Sequence, residues 1–174
     1  MAKRKSLSEK ILMVVAGSIK EGIAFSMYPY LGLGKYFKKY RGSFVKAIYD
    51  LQDHGYLVEV EKEGQKYLKL TAKGRLKALQ RKALREWDGY WRIVSFDIEE
   101  KRKKTRDVFR IKLSQLGCKP LQKSVWITPN DISYELEEII DVLQLENNVD
   151  YFLSKAITNQ DNLLEKFKLT NFKE

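Results

Sequence analysis

Apolar and polar positions change period several times along this chain. In SLSEKILMVVAG, Ser6 stands three residues before Glu9, and Ile11, Leu12, Val14 and Val15 follow on one face. The spacing predicts a helix with a capping box, continuing to about Lys20. IAFSMYPYLGLG has no clean period and reads as a connector packed on the core; its Gly32 and Gly34 do not follow a strand as a phosphate-cradling loop would require. A short helix over Lys35 to Tyr40 and a turn at Arg41-Gly42 are expected next. Ser43 then caps a second helix with Phe44, Ile48 and Leu51 on one face, closed by Gly55 at its left-handed C-terminal position. His54 belongs to the polar last turn of that helix rather than to a metal site. YLVEVEKE and QKYLKLT alternate on either side of Gly64 and predict a two-stranded hairpin.

LTAKGRLKALQRKALREWDG places Leu76, Leu79, Ala83 and Leu84 on one stripe, so a helix leaves the hairpin and breaks at Trp87-Asp88-Gly89. Beyond it the pattern predicts a strand over Tyr90 to Ile98, a helix from Lys103 to Leu116, and Gly117. Strand residues in LQKSVWIT, a Pro129-Asn130-Asp131 turn with Ser133 as a helix cap, a helix from Tyr134 to Leu145 and a strand around Tyr151 to Ala156 come next. Leu163, Leu164, Phe167 and Leu169 mark a last helix in the tail. The order predicts an α+β chain: a winged helix-turn-helix over residues 1–75, a linking helix over 76–88, and a ferredoxin-like βαββαβ domain over 89–174.

Composition narrows the chemistry. The 174 residues carry a net charge of +10, and the excess is local: residues 1–86 hold nineteen Lys or Arg against eight Asp or Glu, while 87–174 hold fourteen against fifteen. The first half is suited to a polyanion, although basic surfaces also serve solubility. One cysteine, Cys118, and one histidine, His54, exclude an internal disulfide and the usual structural zinc site. Cys118 is most simply a small buried residue. No apolar run is long enough for a membrane span, so a cytoplasmic location is expected. The acids of ISYELEEIIDVLQLE alternate with Leu136, Ile139, Ile140 and Leu143, which reads as an amphipathic helix with a solvated acidic face.

The string SFVKAIYDLQDHGYLVEVEKEGQKYLKLTAKGRLKAL resembles the recognition helix, wing and exit helix of bacterial winged-helix regulators. That resemblance implies duplex DNA as partner. Ser43, Lys46, Ala47 and Asp50 then face the major groove from the second helix, and Lys38, Lys39, Arg41, Lys62, Gln65 and Lys66 meet phosphates. Further on, WDGYWRIVSFDIEEKRKKTRDVFRIKLSQLGCKPLQKSVWITP resembles the central domain of the phenylacetic acid degradation repressor (PaaX-like) family of transcriptional regulators. Its Trp-Asp-Gly-x-Trp opening, arginine-rich helix start, Leu-x-x-Leu-Gly ending and Val-Trp-Ile-x-Pro strand stand in the family's order. That domain is itself similar to the small ferredoxin-like nuclease subunit of the CRISPR spacer-acquisition complex. The resemblance implies a regulator, acting as a repressor and a homodimer on a pseudo-palindromic operator, with no cofactor. Two features depart from the family. Ile98-Glu99-Glu100 stands where a proline usually follows the first strand, and the family continues for about another hundred residues past the position of Glu174; if that segment helps bind the family's acyl-coenzyme A effector, effector binding does not carry over, and any ligand here is unknown.

Asp97 keeps a second reading open. In the CRISPR relatives, the first-strand aspartates of two copies meet across a dimer and hold a divalent metal. Asp97 corresponds to that residue, so Mg²⁺ or Mn²⁺ there implies a nuclease, with Glu99 and Glu100 assisting and Arg102, Lys103, Lys104 and Arg106 holding the phosphates. Against this, acids between a strand and a helix also favour the helix N-terminus through its dipole. A third reading is an interaction platform that uses the ferredoxin-like sheet edge and is anchored on DNA.

Overall fold

A computed structural model describes residues 6–17, 23–24, 34–79 and 87–169; the side chains of residues 17, 23–24, 34–41 and 62 fall outside that description. The chain divides into two compact units, Met1–Leu79 and Gln80–Glu174.

In the first unit, α1 (Leu7–Gly17) starts on a complete capping box: the Ser6 amide donates to Glu9 Oε2 at 2.7 Å and the Glu9 amide to Ser6 Oγ at 3.2 Å. Its Ile11, Leu12 and Val15 pack against Phe44, Ala47, Ile48 and Leu51 of α2 (Gly34–Asp53) and against Leu57 and Leu68 of the hairpin β2 (Leu57–Lys62) and β3 (Gln65–Leu70). A two-residue strand, β1 (Ile23–Ala24), adds to β3, so the sheet runs β1-β3-β2 and is antiparallel throughout. Between β2 and β3, Glu63 and Gly64 both have positive φ, 52° and 72°, the backbone of a type I′ turn.

Two expectations change here. No turn interrupts Arg41-Gly42: α2 is a single helix of 20 residues, and Ser43 is an exposed mid-helix residue instead of a cap. A glycine in a helix interior costs about 1 kcal/mol relative to alanine, too little to stop a helix whose flanks are held elsewhere. The connector after α1 contributes β1; the rest of it and the end of α1 beyond Gly17 lie outside the described residues.

The end of α2 follows its sequence closely. The Tyr56 amide donates to the Leu51 carbonyl and the Gly55 amide to that of Gln52, both at 2.8 Å, with Gly55 at φ 68°, which is a Schellman motif. After β3, the Thr71 hydroxyl donates to the Gly55 carbonyl at 2.6 Å and accepts from the Gly74 amide at 3.0 Å, capping α3 (Ala72–Ala78). At Leu79 ψ turns to 128° and the helix stops. The expected linking helix therefore reaches only Ala78 within the described residues; 80–86 lie outside them, and Trp87-Asp88 are not helical.

The second unit runs β4 (Trp91–Phe96), one 3₁₀ turn at Glu100–Arg102, α4 (Lys103–Gln115), β5 (Lys119–Gln122), β6 (Val125–Thr128), α5 (Ser133–Leu143), β7 (Val149–Ser154) and α6 (Gln160–Phe167). The sheet order is β5-β6-β4-β7, all antiparallel. Alternation along β4 sends Val94 and Phe96 to one face, where Phe96 meets Phe109 of α4 edge-on at 5.1 Å. Trp91 points to the other face, where it packs with Ile127, Leu163 and Leu169 under α6. LQKSVWIT supplies the end of β5 and all of β6, joined by a tight turn at Lys123-Ser124. The N-cap of α5 is Ile132, which makes no side-chain cap bond, so Ser133 is the first helical residue and not the cap; its amide and hydroxyl both donate to Asp131 Oδ1. Glu135, expected on a solvated acidic face, is buried.

Candidate nucleic-acid interface and the Asp97 strand end

The outward face of α2 is set by what its inward face buries. With Phe44, Ala47, Ile48 and Leu51 in the core, Gly42, Ser43, Val45, Lys46, Tyr49 and Asp50 are exposed. Ser43, Lys46 and Asp50 thus stand where the sequence put them, on one solvent-facing surface. Ala47 does not: it is 7% exposed and cannot reach a ligand, because its position joins the Phe44 and Ile48 stripe at helical spacing. Lys38, Lys39 and Arg41 lie on the first half of α2, and their side chains fall outside the described ones. Sequence reading missed Tyr49, which is 67% exposed, and Val45 beside it at i−4. The signal was available, since both residues fall off the core stripe.

On the hairpin, Lys62 pairs in register with Gln65, and Glu61 with Lys66, next to the turn. Gln65 is exposed and its Oε1 accepts from the Tyr67 hydroxyl at 3.2 Å. Lys66 is exposed too but engaged, its ammonium 2.8 Å from Glu59 Oε1. The hydrogen bond and charge of Glu59 raise the Lys66 pKa above its ordinary value. Charge along α2 runs against its own dipole: Lys35, Lys38, Lys39 and Arg41 occupy the first half, and Asp50 and Asp53 the last turns. Such an arrangement is unfavourable by itself, and an anion near the first half would offset it.

In the second unit, Asp97 follows β4 and its side chain is exposed. Its backbone is held twice by Asn148: the Asp97 amide donates to the Asn148 carbonyl at 2.9 Å, and Asn148 Nδ2 donates to the Asp97 carbonyl at 2.8 Å. The nearby arginines are committed within the chain. Arg102 donates to the carbonyls of Leu143 at 2.7 Å and Gln144 at 3.0 Å, supplying the cation that the last turn of α5 lacks. Arg106 reaches the Ile98 carbonyl and pairs with Glu100 at 2.7 Å, which lowers the Glu100 pKa. Arg110 donates to the Lys123 carbonyl at 2.9 Å. Lys103 and Lys104 are exposed, and Glu99 pairs with Lys101 at 2.5 Å. Among the described residues, no three His, Cys, Asp or Glu side chains are grouped to hold a metal ion.

The Trp-Asp-Gly-x-Trp segment is a structural knot. Asp88 Oδ1 accepts from the Tyr90 amide at 3.1 Å, Gly89 takes φ 78°, and both Asp88 oxygens grip the Arg92 guanidinium at 2.5 Å. Arg92 is buried and also donates to the Tyr90 and Pro129 carbonyls. The Arg92 bond holds the Asp88 carboxyl below the usual range, and Asp88 raises Arg92 in turn. Trp87 donates to the Tyr90 carbonyl and its ring lies 5.0 Å from that of Trp91.

Among the described residues, no helix is long and apolar enough to cross a membrane. Residues 84–164 match the family model of the PaaX protein central Cas2-like domain. No curated protein matches the chain.

Proposed function

Because residues 84–164 belong to the family of PaaX central Cas2-like domains, we propose that this chain is a DNA-binding transcriptional regulator, a repressor acting as a homodimer on a pseudo-palindromic operator. The observation that carries the reading is the separate basic unit joined to that domain. Met1–Leu79 holds sixteen Lys or Arg against seven Asp or Glu, a charge of +9; its α2 exposes one face over residues 42–50 and carries most of its bases, by sequence, in its first half. Unit 1 is read as a winged helix-turn-helix whose first short helix and recognition helix run on as α2, with the β2–β3 hairpin as wing. The second unit is read as a ferredoxin-like sandwich. Ser43, Lys46 and Asp50 then lie toward base edges, and Lys38, Lys39, Arg41, Lys62, Gln65 and Lys66 toward phosphates. Lys66 must exchange Glu59 for a phosphate to do so.

The nuclease reading loses support from the residues around Asp97. Arg102 and Arg106, its proposed phosphate ligands, cap α5 and brace the strand end instead. Both readings are tested together by enriching binding duplexes from a random library and measuring affinity by fluorescence anisotropy across a salt series. Lys46→Ala and Arg41→Ala are expected to weaken binding by tenfold or more, Asp97→Ala to leave it unchanged, and Mg²⁺ or Mn²⁺ to produce no cutting. Absence of duplex binding, or metal-dependent cutting lost in Asp97→Ala, overturns the assignment.

A further inference from the structure

The two edges of the second sheet differ. The β5 edge is blunted by Pro120, which has no amide proton, and by an irregularity between Pro120 and Gln122. The β7 edge has neither: six residues, VDYFLS, pair in unbroken register with β4, and among the described residues no strand covers the other side. The Phe96 amide donates to the Ser124 carbonyl, toward β6, and the Asp97 amide to the Asn148 carbonyl, toward β7. Alternation then turns the backbone groups of Trp91, Ile93 and Ser95 toward β7. Their register partners Ser154, Phe152 and Asp150 bond inward, and the N–H and C=O groups of Tyr151 and Leu153 point outward. Flanking this open row, Phe152 is 51% exposed on one face of the sheet and Leu153 60% exposed on the other.

We infer that β7 is the dimer seam: it pairs antiparallel with β7 of a second copy across a two-fold axis through Phe152, joining two four-stranded sheets into one of eight. The inference rests on the dimeric regulator proposed above and names its interface. Outward groups on odd positions allow only registers that set odd residues opposite odd. With Phe152 across from the partner's Phe152, Leu153 lies across from the partner's Tyr151 and Asp150 across from the partner's Ser154. Apolar groups then meet on both faces, which is the unit of sheet stabilisation. A slide of one pair in one direction sets Asp150 against Phe152; a slide in the other sets Phe152 against Ser154 and Tyr151 against Lys155. Charge favours a second copy here as well. Gln80–Glu174 holds seventeen bases against sixteen acids, so two copies of this unit meet with little repulsion, whereas two copies of the +9 unit do not.

Phe152 would form a non-hydrogen-bonded cross-strand pair, with Cα atoms about 4.5 Å apart, within disulfide range. In the full chain carrying Cys118→Ser, Phe152→Cys is therefore expected to oxidise to a covalent dimer on a non-reducing gel, and Asp150→Cys to stay uncrosslinked. Leu153→Asp in the wild-type background is expected to halve the mass by light scattering with tryptophan fluorescence unchanged. A dimer by light scattering in which Phe152→Cys does not crosslink, or crosslinks no better than Asp150→Cys, overturns the seam and leaves the dimeric regulator standing. A wild-type chain that is monomeric at tens of micromolar overturns both.

Discussion

Gly74 and Tyr56 approach so closely that a β-carbon on Gly74 would stand 1.9 Å from the Tyr56 carbonyl oxygen. The neighbour is backbone, held from two sides: the Thr71 amide donates to that carbonyl at 3.1 Å, and the Tyr56 amide closes the Schellman motif of α2. The glycine of Leu-Thr-Ala-Lys-Gly-Arg is thus what lets α3 lie against the end of α2. Gly74→Ala is expected to destabilise the first unit by about 3 kcal/mol, since neither backbone segment can yield. All three tryptophans, Trp87, Trp91 and Trp126, lie in the second unit. The substitution should lower the thermal midpoint by far-UV circular dichroism more than the midpoint by tryptophan fluorescence.

Asp88 and Arg92 give the second unit a pH-dependent brace. The folded-state pKa of Asp88 is lowered, chiefly by its bond to Arg92, so its contribution is fully present above the unfolded aspartate value of about 3.9 and is lost as pH falls through the lower folded value. Asp88 is half exposed, which reduces the effect; Asp88→Asn is expected to cost about 1–2 kcal/mol at neutral pH. The gap between wild type and variant, followed by urea unfolding read through tryptophan fluorescence, should close as pH drops below about 4. A gap that persists unchanged at pH 3 would argue against an ionic origin.

Arg102 is expected to matter for stability and not for DNA. It caps the carbonyls of Leu143 and Gln144, where Gln144 itself takes a left-handed backbone at φ 53°. Arg102→Met should cost about 1.5–3 kcal/mol in chemical unfolding of the second unit, the range for hydrogen bonds to a charged group. Duplex affinity by anisotropy should stay within twofold of wild type. The exposed Lys103 and Lys104 provide the contrast, since their alanine variants should leave the unfolding midpoint in place.

Asp97→Ala should be close to silent. The side chain is exposed and the Asn148 contacts run through its backbone, so the expected change in stability is within about 0.5 kcal/mol. Mg²⁺ or Mn²⁺ should not shift the thermal midpoint of either form. A metal-dependent rise in wild type that disappears in Asp97→Ala would restore the shared-metal reading.

Helix ends show how far local sequence reaches. Gly55 and Gly117 close α2 and α4 in Schellman motifs, and both ends are legible because glycine accepts positive φ freely. The same motif closes α5 at Gln144 and α6 at Lys168, where a side chain pays a strain of about 1 kcal/mol and nothing local announces it. What holds those two ends is burial of the next residue, Leu145 or Leu169, in the core. In the first unit, Arg41-Gly42 reads locally as a turn, yet α2 runs through it.

The candidate site divides the same way. Apart from β1 and the continuity of α2, the sequence by itself determined the order of helices and strands, the basic first half and the outward placement of Ser43, Lys46 and Asp50, because period and charge are properties of neighbours along the chain. Only the tertiary structure decided that Arg102 and Arg106 are committed within the fold and that, among the described residues, no strand pairs with the outer edge of β7. Each of these depends on which distant segment arrives beside a residue: the end of α5 beside Arg102, the Ile98 carbonyl beside Arg106 and, among the described residues, no strand beyond β7. Packing and edge pairing are set between elements far apart in sequence, and no local pattern encodes them.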